Sequence, residues 1–127
     1  MARILLVEDS PTQAYVTSRL LEKHGYNVVV ANNGKQGVEY AHSHSPDLII
    51  MDVIMPGANG YQATRAITNN AKTSHIPIIM VSAKDQVTDK LWGLRQGAMG
   101  YLTKPVDEKA LIETVTHLLG PKETATV

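Results

Sequence analysis

The 127-residue sequence has no cysteine, a single tryptophan and no net charge. The lack of cysteine excludes disulfide staples, thiolate metal sites and a cysteine nucleophile, and fits a reducing compartment. The 12 Lys and Arg residues balance the 12 Asp and Glu residues. That balance removes the electrostatic case for nucleic acid or an anionic membrane as the main partner. No apolar run approaches the roughly 18 residues of a membrane span, so no membrane insertion is expected. The run that opens the chain is ended by Glu8 and Asp9 and is too short for a secretory signal. A cytoplasmic location is therefore expected. With 43% hydrophobic residues the chain can build one ordinary core. It reads as one domain over residues 1–120 and a short polar tail over 121–127.

Short apolar runs alternate with stretches of helical pattern. The runs lie at 4–7, 28–31, 48–51, 78–81 and 101–102. Several are nearly continuous Val, Ile and Leu, as in parallel strands covered on both faces. The first helix opens at Ser10-Pro11, a cap followed by proline at the first helical position, and stops at Gly25. Val16, Leu20 and Leu21 share one side of it. Further helical stretches run over 34–44, 61–70, 86–96 and from Asp107 to Leu119. In the fourth, Val87, Leu91 and Leu94 recur at helical spacing, with Trp92 flanking the core. This order predicts an α/β fold, (βα)5: a doubly wound, flavodoxin-like, five-stranded parallel sheet with helices on both faces.

Ligands of such sheets bind at the carboxyl ends of the strands. The first run is followed by Glu8 and Asp9, the third by Asp52, the fourth by Ser82 and the fifth by Thr103, Lys104 and Pro105. Each residue alone has an ordinary explanation: Glu8 and Asp9 as helix-start charge, Asp52 as a turn residue, Ser82 as a cap, Lys104 as a solvated cation. Their coincidence at four strand ends points to one pocket. Two carboxylates about 4 Å apart repel by about 1–4 kcal/mol. A hard cation with oxygen ligands, such as Mg²⁺, offsets that repulsion. One carboxylate, Mg²⁺, a lysine and a hydroxyl donor together can take a phosphoryl group onto an Asp oxygen. The five scattered histidines carry no metal-site spacing; His42 and His44 do not share a helix face.

These segments resemble the receiver domain of two-component response regulators. The resemblance rests on Ile4-Leu5-Leu6-Val7-Glu8-Asp9-Ser10, on 46–57 around Asp52, on Ile78-Ile79-Met80-Val81-Ser82-Ala83, and on Gly97-Ala98 with Tyr101-Leu102-Thr103-Lys104-Pro105. It implies Asp52 as phospho-acceptor. It implies Glu8, Asp9, Asp52 and the Ile54 backbone carbonyl as Mg²⁺ ligands. It implies Ser82 and Tyr101 as switch residues, Lys104 as the phosphate-pairing lysine, and a cis Lys104–Pro105 bond. Glu8 stands where Asp is common, and Ser82 where Thr is common. Segments 59–65 and 84–93 are further similar to single-domain regulators of type IV pilus twitching motility.

The resemblance implies a stand-alone two-component phosphorelay switch rather than an enzyme. A histidine kinase would donate the phosphoryl group. A downstream protein would read the face formed by the helix from Gln86 to Gln96, the Tyr101 strand and the helix from Asp107 to Leu119. A role as phosphate sink for a shared kinase is the alternative. A flavodoxin-like redox role conflicts with Glu8 and Asp9, which would repel a flavin phosphate. A phosphomonoesterase would need a second Asp two positions after Asp52, where Ile54 stands. Ile54 and Lys84 flank the site and neither orients nor activates water, so at most slow self-dephosphorylation is expected.

Overall fold

A computed structural model describes residues 2–55 and 59–120. Residues 1, 56–58 and 121–127, the last being the polar tail read from the sequence, lie outside the described residues. Five strands and five helices alternate: β1 (Arg3–Val7), α1 (Pro11–Lys23), β2 (Asn27–Ala31), α2 (Gly34–His44), β3 (Leu48–Asp52), α3 (Gly60–Thr68), β4 (Ile78–Ser82), α4 (Val87–Arg95), β5 (Gly100–Thr103) and α5 (Glu108–Leu119). The strands form one sheet in the order β2-β1-β3-β4-β5, and every neighbouring pair is parallel. This is the doubly wound architecture that the alternation predicts.

Strand periodicity divides the core. Ile4 and Leu6 of β1 join Leu48, Ile50, Leu21 of α1, and Leu111 and Val115 of α5 in one cluster. Leu5 and Val7 join Ile49, Met51, Ala41 of α2, and Ala63 and Ile67 of α3 in another. Successive side chains of one strand thus serve opposite layers. Every residue of β3 and β4 is buried. A fully buried Leu or Ile contributes about 1.5–3 kcal/mol, so these strands are the best anchored in the sheet, and two functional candidates sit at their ends.

The helices start where short polar side chains can accept from their free amides. Ser10 Oγ accepts from the Gln13 amide at 3.3 Å, Asn33 Oδ1 from Gln36 at 2.8 Å and Asp107 Oδ2 from Ala110 at 2.9 Å. Asn59 and Gln62 form a reciprocal capping box. α4 departs from the expectation of a core-facing stripe. Val87, Leu91 and Leu94 are 71%, 58% and 48% exposed, and Trp92 is 50% exposed. The helix buries Gly93 instead. Val16 of α1 is likewise exposed, while Leu21 is fully buried. Among the described residues, no helix is long and apolar enough to cross a membrane.

Gly60 ties the chain leaving β3 to the start of α3. Its amide donates to the Val53 carbonyl at 2.8 Å. A Cβ at this position would lie 2.2 Å from the Asp52 carbonyl oxygen and 2.7 Å from Val53 Cα. Both obstacles are backbone, so a methyl group forces the helix start away from the strand end. Gly60→Ala is expected to destabilise the fold by about 2–3 kcal/mol, measured by urea unfolding. Unchanged stability would contradict this packing.

Candidate functional site

The strand order makes β1 and β3 neighbours, and the pairing of Val7 with Met51 brings the next residues, Glu8 and Asp52, to the same edge. Glu8 and Asp52 are 6% and 5% exposed, whereas Asp9 is exposed. Ligand-capable oxygens of Glu8, Asp9 and Asp52 lie within 4.8 Å of one another. The Glu8 amide donates to the Ala31 carbonyl at 3.0 Å, which extends the sheet by one residue and holds this side chain at the rim. The Ser10 amide donates to Glu8 Oε2 at 3.2 Å.

Lys104 reaches the cluster from the end of β5. Its backbone amide donates to the Ser82 carbonyl at 2.8 Å. Its ammonium donates to Glu8 Oε1 at 3.0 Å and lies 3.5 Å from Asp52 Oδ1. The ammonium also donates to Gln13 Oε1 of α1. The Lys104–Pro105 bond is cis, as the resemblance implies. Ser82 is 1% exposed, and its Oγ accepts from the Lys84 amide at 3.1 Å. Tyr101 is half-buried. Its hydroxyl donates to the Lys84 carbonyl at 2.9 Å, so Ser82 and Tyr101 both engage the backbone of Lys84. Gly93 makes room for the ring, since a Cβ there would stand 3.0 Å from Tyr101. Ile54 follows Asp52 by two residues, with its side chain 56% exposed.

Gln13 is the member that sequence reasoning missed. Its contact with Lys104 spans 91 positions, and no local pattern encodes such a pairing. The available signal was its place in the first turn of the helix that follows Glu8 and Asp9. Beside the cluster, a cleft of about 550 Å³ runs between α1 and the segment after β5; Val16, Leu20, Val106 and Leu111 wall it, and Asp52 and Lys104 border it.

Burial pushes the Asp52 carboxyl up from its ordinary 3.8 to about 7, and the negative charge of Glu8 adds to the rise. The Lys104 ammonium offsets only part of it. The cluster therefore holds more negative charge than its one lysine neutralises. An oxygen-only donor set with surplus negative charge suits a hard divalent cation such as Mg²⁺. The residues present fit that ion.

The sign of the resulting pH dependence follows. Between about pH 4 and 7 the folded chain keeps the Asp52 proton that the unfolded chain has released. Stability therefore falls as pH rises through that window, and the loss is complete above it. Asp52→Asn abolishes the loss. In chelator, the variant is expected to be more stable than the native chain at pH 8 by about 2 kcal/mol, with the gain closing towards pH 4. Thermal unfolding at both pH values measures this, and a gain independent of pH would contradict it.

The model of the response regulator receiver domain matches residues 4–116. Protein PilH of Pseudomonas aeruginosa is 56% identical over 120 residues, covering 94% of this chain and 99% of that protein. The Vibrio cholerae chemotaxis protein CheY4 superposes with a TM-score of 0.87 at 30% identity, covering 93% of this chain and 98% of that one. The receiver domain of the sensor histidine kinase PA1611 from Pseudomonas aeruginosa, with a magnesium ion in its active-site cleft, gives a TM-score of 0.87 at 34% identity. That match covers 94% of this chain and 98% of the other. With the family model matching residues 4–116 and the fold in agreement, the chain belongs to the response regulator receiver domain family.

Proposed function

We propose that the chain is a phosphorylation switch in which Asp52 accepts a phosphoryl group from the phosphohistidine of a histidine kinase. The observation that carries the reading is the buried Asp52 carboxyl, set among Glu8, Asp9 and Lys104 at the carboxyl edge of the sheet. An Asp52 oxygen attacks phosphorus, the phosphorus–nitrogen bond to the donor imidazole breaks, and its electron pair stays on that ring. Glu8, Asp9, Asp52 and the Ile54 backbone carbonyl would hold Mg²⁺, which supplies positive charge to the oxygens of the transferring group. Lys104 pairs with the phosphoryl group once it is in place. Hydrolysis by the chain itself is slow, because Ile54 offers no polar atom to water and Lys84 accepts no proton while charged.

The new charge draws Ser82 towards the phosphoryl group, and Tyr101 gives up the Lys84 carbonyl for the space that opens. α4, β5 and α5 then present a different surface, a population shift biased by charge at the site. The exposed Val87, Leu91 and Trp92 on α4 supply apolar contact for a downstream protein. The pathway we assign is cytoplasmic control of type IV pilus twitching motility. It rests on the similarity of segments 59–65 and 84–93 and on the 56% identity to PilH.

Treatment with acetyl phosphate and Mg²⁺ is expected to add one phosphate, on Asp52. Intact-mass and peptide mass spectrometry locate it, and Asp52→Asn should abolish it. Equal phosphate incorporation in the variant would overturn the assignment.

A further inference from the structure

Among the described residues the Lys104 ammonium makes its two side-chain hydrogen bonds to Glu8 and Gln13 and reaches Asp52 at a longer distance. It donates to Glu8 Oε1 at 3.0 Å and to Gln13 Oε1, and it makes a longer ion pair with Asp52 Oδ1 at 3.5 Å. An ammonium has three donors to give, and Glu8 and Gln13 take two of them. Gln13 is delivered to this spot by the start of α1. Pro11 opens the helix, Ser10 caps it, and the Gln13 amide donates to that cap at 3.3 Å. The side chain is exposed and is absent from the core clusters. Its placed contact is the one to Lys104.

We infer that Gln13 is a positioning residue, a latch that crosses from the first turn of α1 to draw the Lys104 ammonium out to a long ion-pair distance from Asp52 in the resting state. The inference rests on the reading of Asp52 as phospho-acceptor. A phosphoryl group on Asp52 recruits Lys104 and takes it from Gln13. Any contact made in the resting state and lost in the phosphorylated state shifts the population towards rest. Gln13 thereby sets how readily the site is filled without touching the reacting atoms. Glu8 alone does not perform this task, because its carboxylate is also claimed by the cation site, whereas the neutral Gln13 amide competes only for Lys104.

Beryllofluoride, which caps an Asp carboxylate as a phosphoryl mimic, provides the test. It is titrated with Mg²⁺ into the native chain, Gln13→Leu, Lys104→Ala and the double variant, and followed by amide NMR. Gln13→Leu is expected to bind it about three- to tenfold more tightly than the native chain, the scale of one ordinary net hydrogen bond. In the Lys104→Ala background the same substitution is expected to change nothing, since a latch acts only through what it holds. Without metal or beryllofluoride, Gln13→Leu is expected to speed hydrogen exchange at the Lys104 ammonium. Gln13→Glu, which keeps an acceptor in place, should bind the mimic no more tightly than the native chain. Equal or weaker binding by Gln13→Leu would overturn the latch, as would a gain that survives in Lys104→Ala. If the native chain binds no better than Asp52→Asn, the phospho-acceptor reading itself fails, and the Lys104 exchange measurement still decides whether Gln13 holds the lysine.

Discussion

The crowding of Glu8, Asp9 and Asp52 at the ends of two adjacent parallel strands, with Lys104 as their counter-charge, is the interaction on which the remaining features depend. Two of the three carboxylates are buried, so water screens them poorly and their repulsion exceeds that of surface acids. The rise of the Asp52 pKa comes first from that burial, and the negative charge of Glu8 adds to it. A site left with surplus negative charge is receptive to a cation. Once a cation is present, it can also receive a phosphoryl group whose own charge would otherwise be repelled.

The fold makes this crowding possible and tolerable. Placing β1 beside β3 puts both acidic strand ends at the point where the strand order reverses, the place where ligands of such sheets bind. The fully buried residues of β3 and β4 anchor Asp52 and Ser82 against the repulsion. Gly60 lets α3 begin against the backbone of Asp52 itself. β5 differs, since its residues are only half-buried. Tyr101 and Lys104 both lie on or just beyond that strand, the least buried of the four that meet at the site.

Much of this was legible in the sequence because it is local. Runs such as 48–51 can only be buried strands, and Ser10-Pro11 can only start a helix. The structure extends β3 to Asp52 and begins α3 one residue early at Gly60, differences of one position at element ends. The acidic edge was legible because strand ends in this topology converge by rule. What escaped was set by tertiary contacts. The spacing of Val87, Leu91 and Leu94 marks one side of a helix but does not say what that side meets. In the fold Gly93 takes the close contact with Met80 and Tyr101, and the apolar stripe faces outward. Gln13 escaped for the same reason, since its partner is fixed by the crossing of α1 over the sheet edge and not by its neighbours in the chain.

The central claim is that Asp52 carries an electrostatic burden that a cation relieves. The most direct measurement is a ¹³C NMR titration of the Asp52 side-chain carboxyl, first in chelator and then with saturating Mg²⁺. The account predicts a midpoint near 7 without metal and a pronounced fall when Mg²⁺ is added. A metal-free midpoint at the ordinary carboxylate value, unmoved by Mg²⁺, would contradict it.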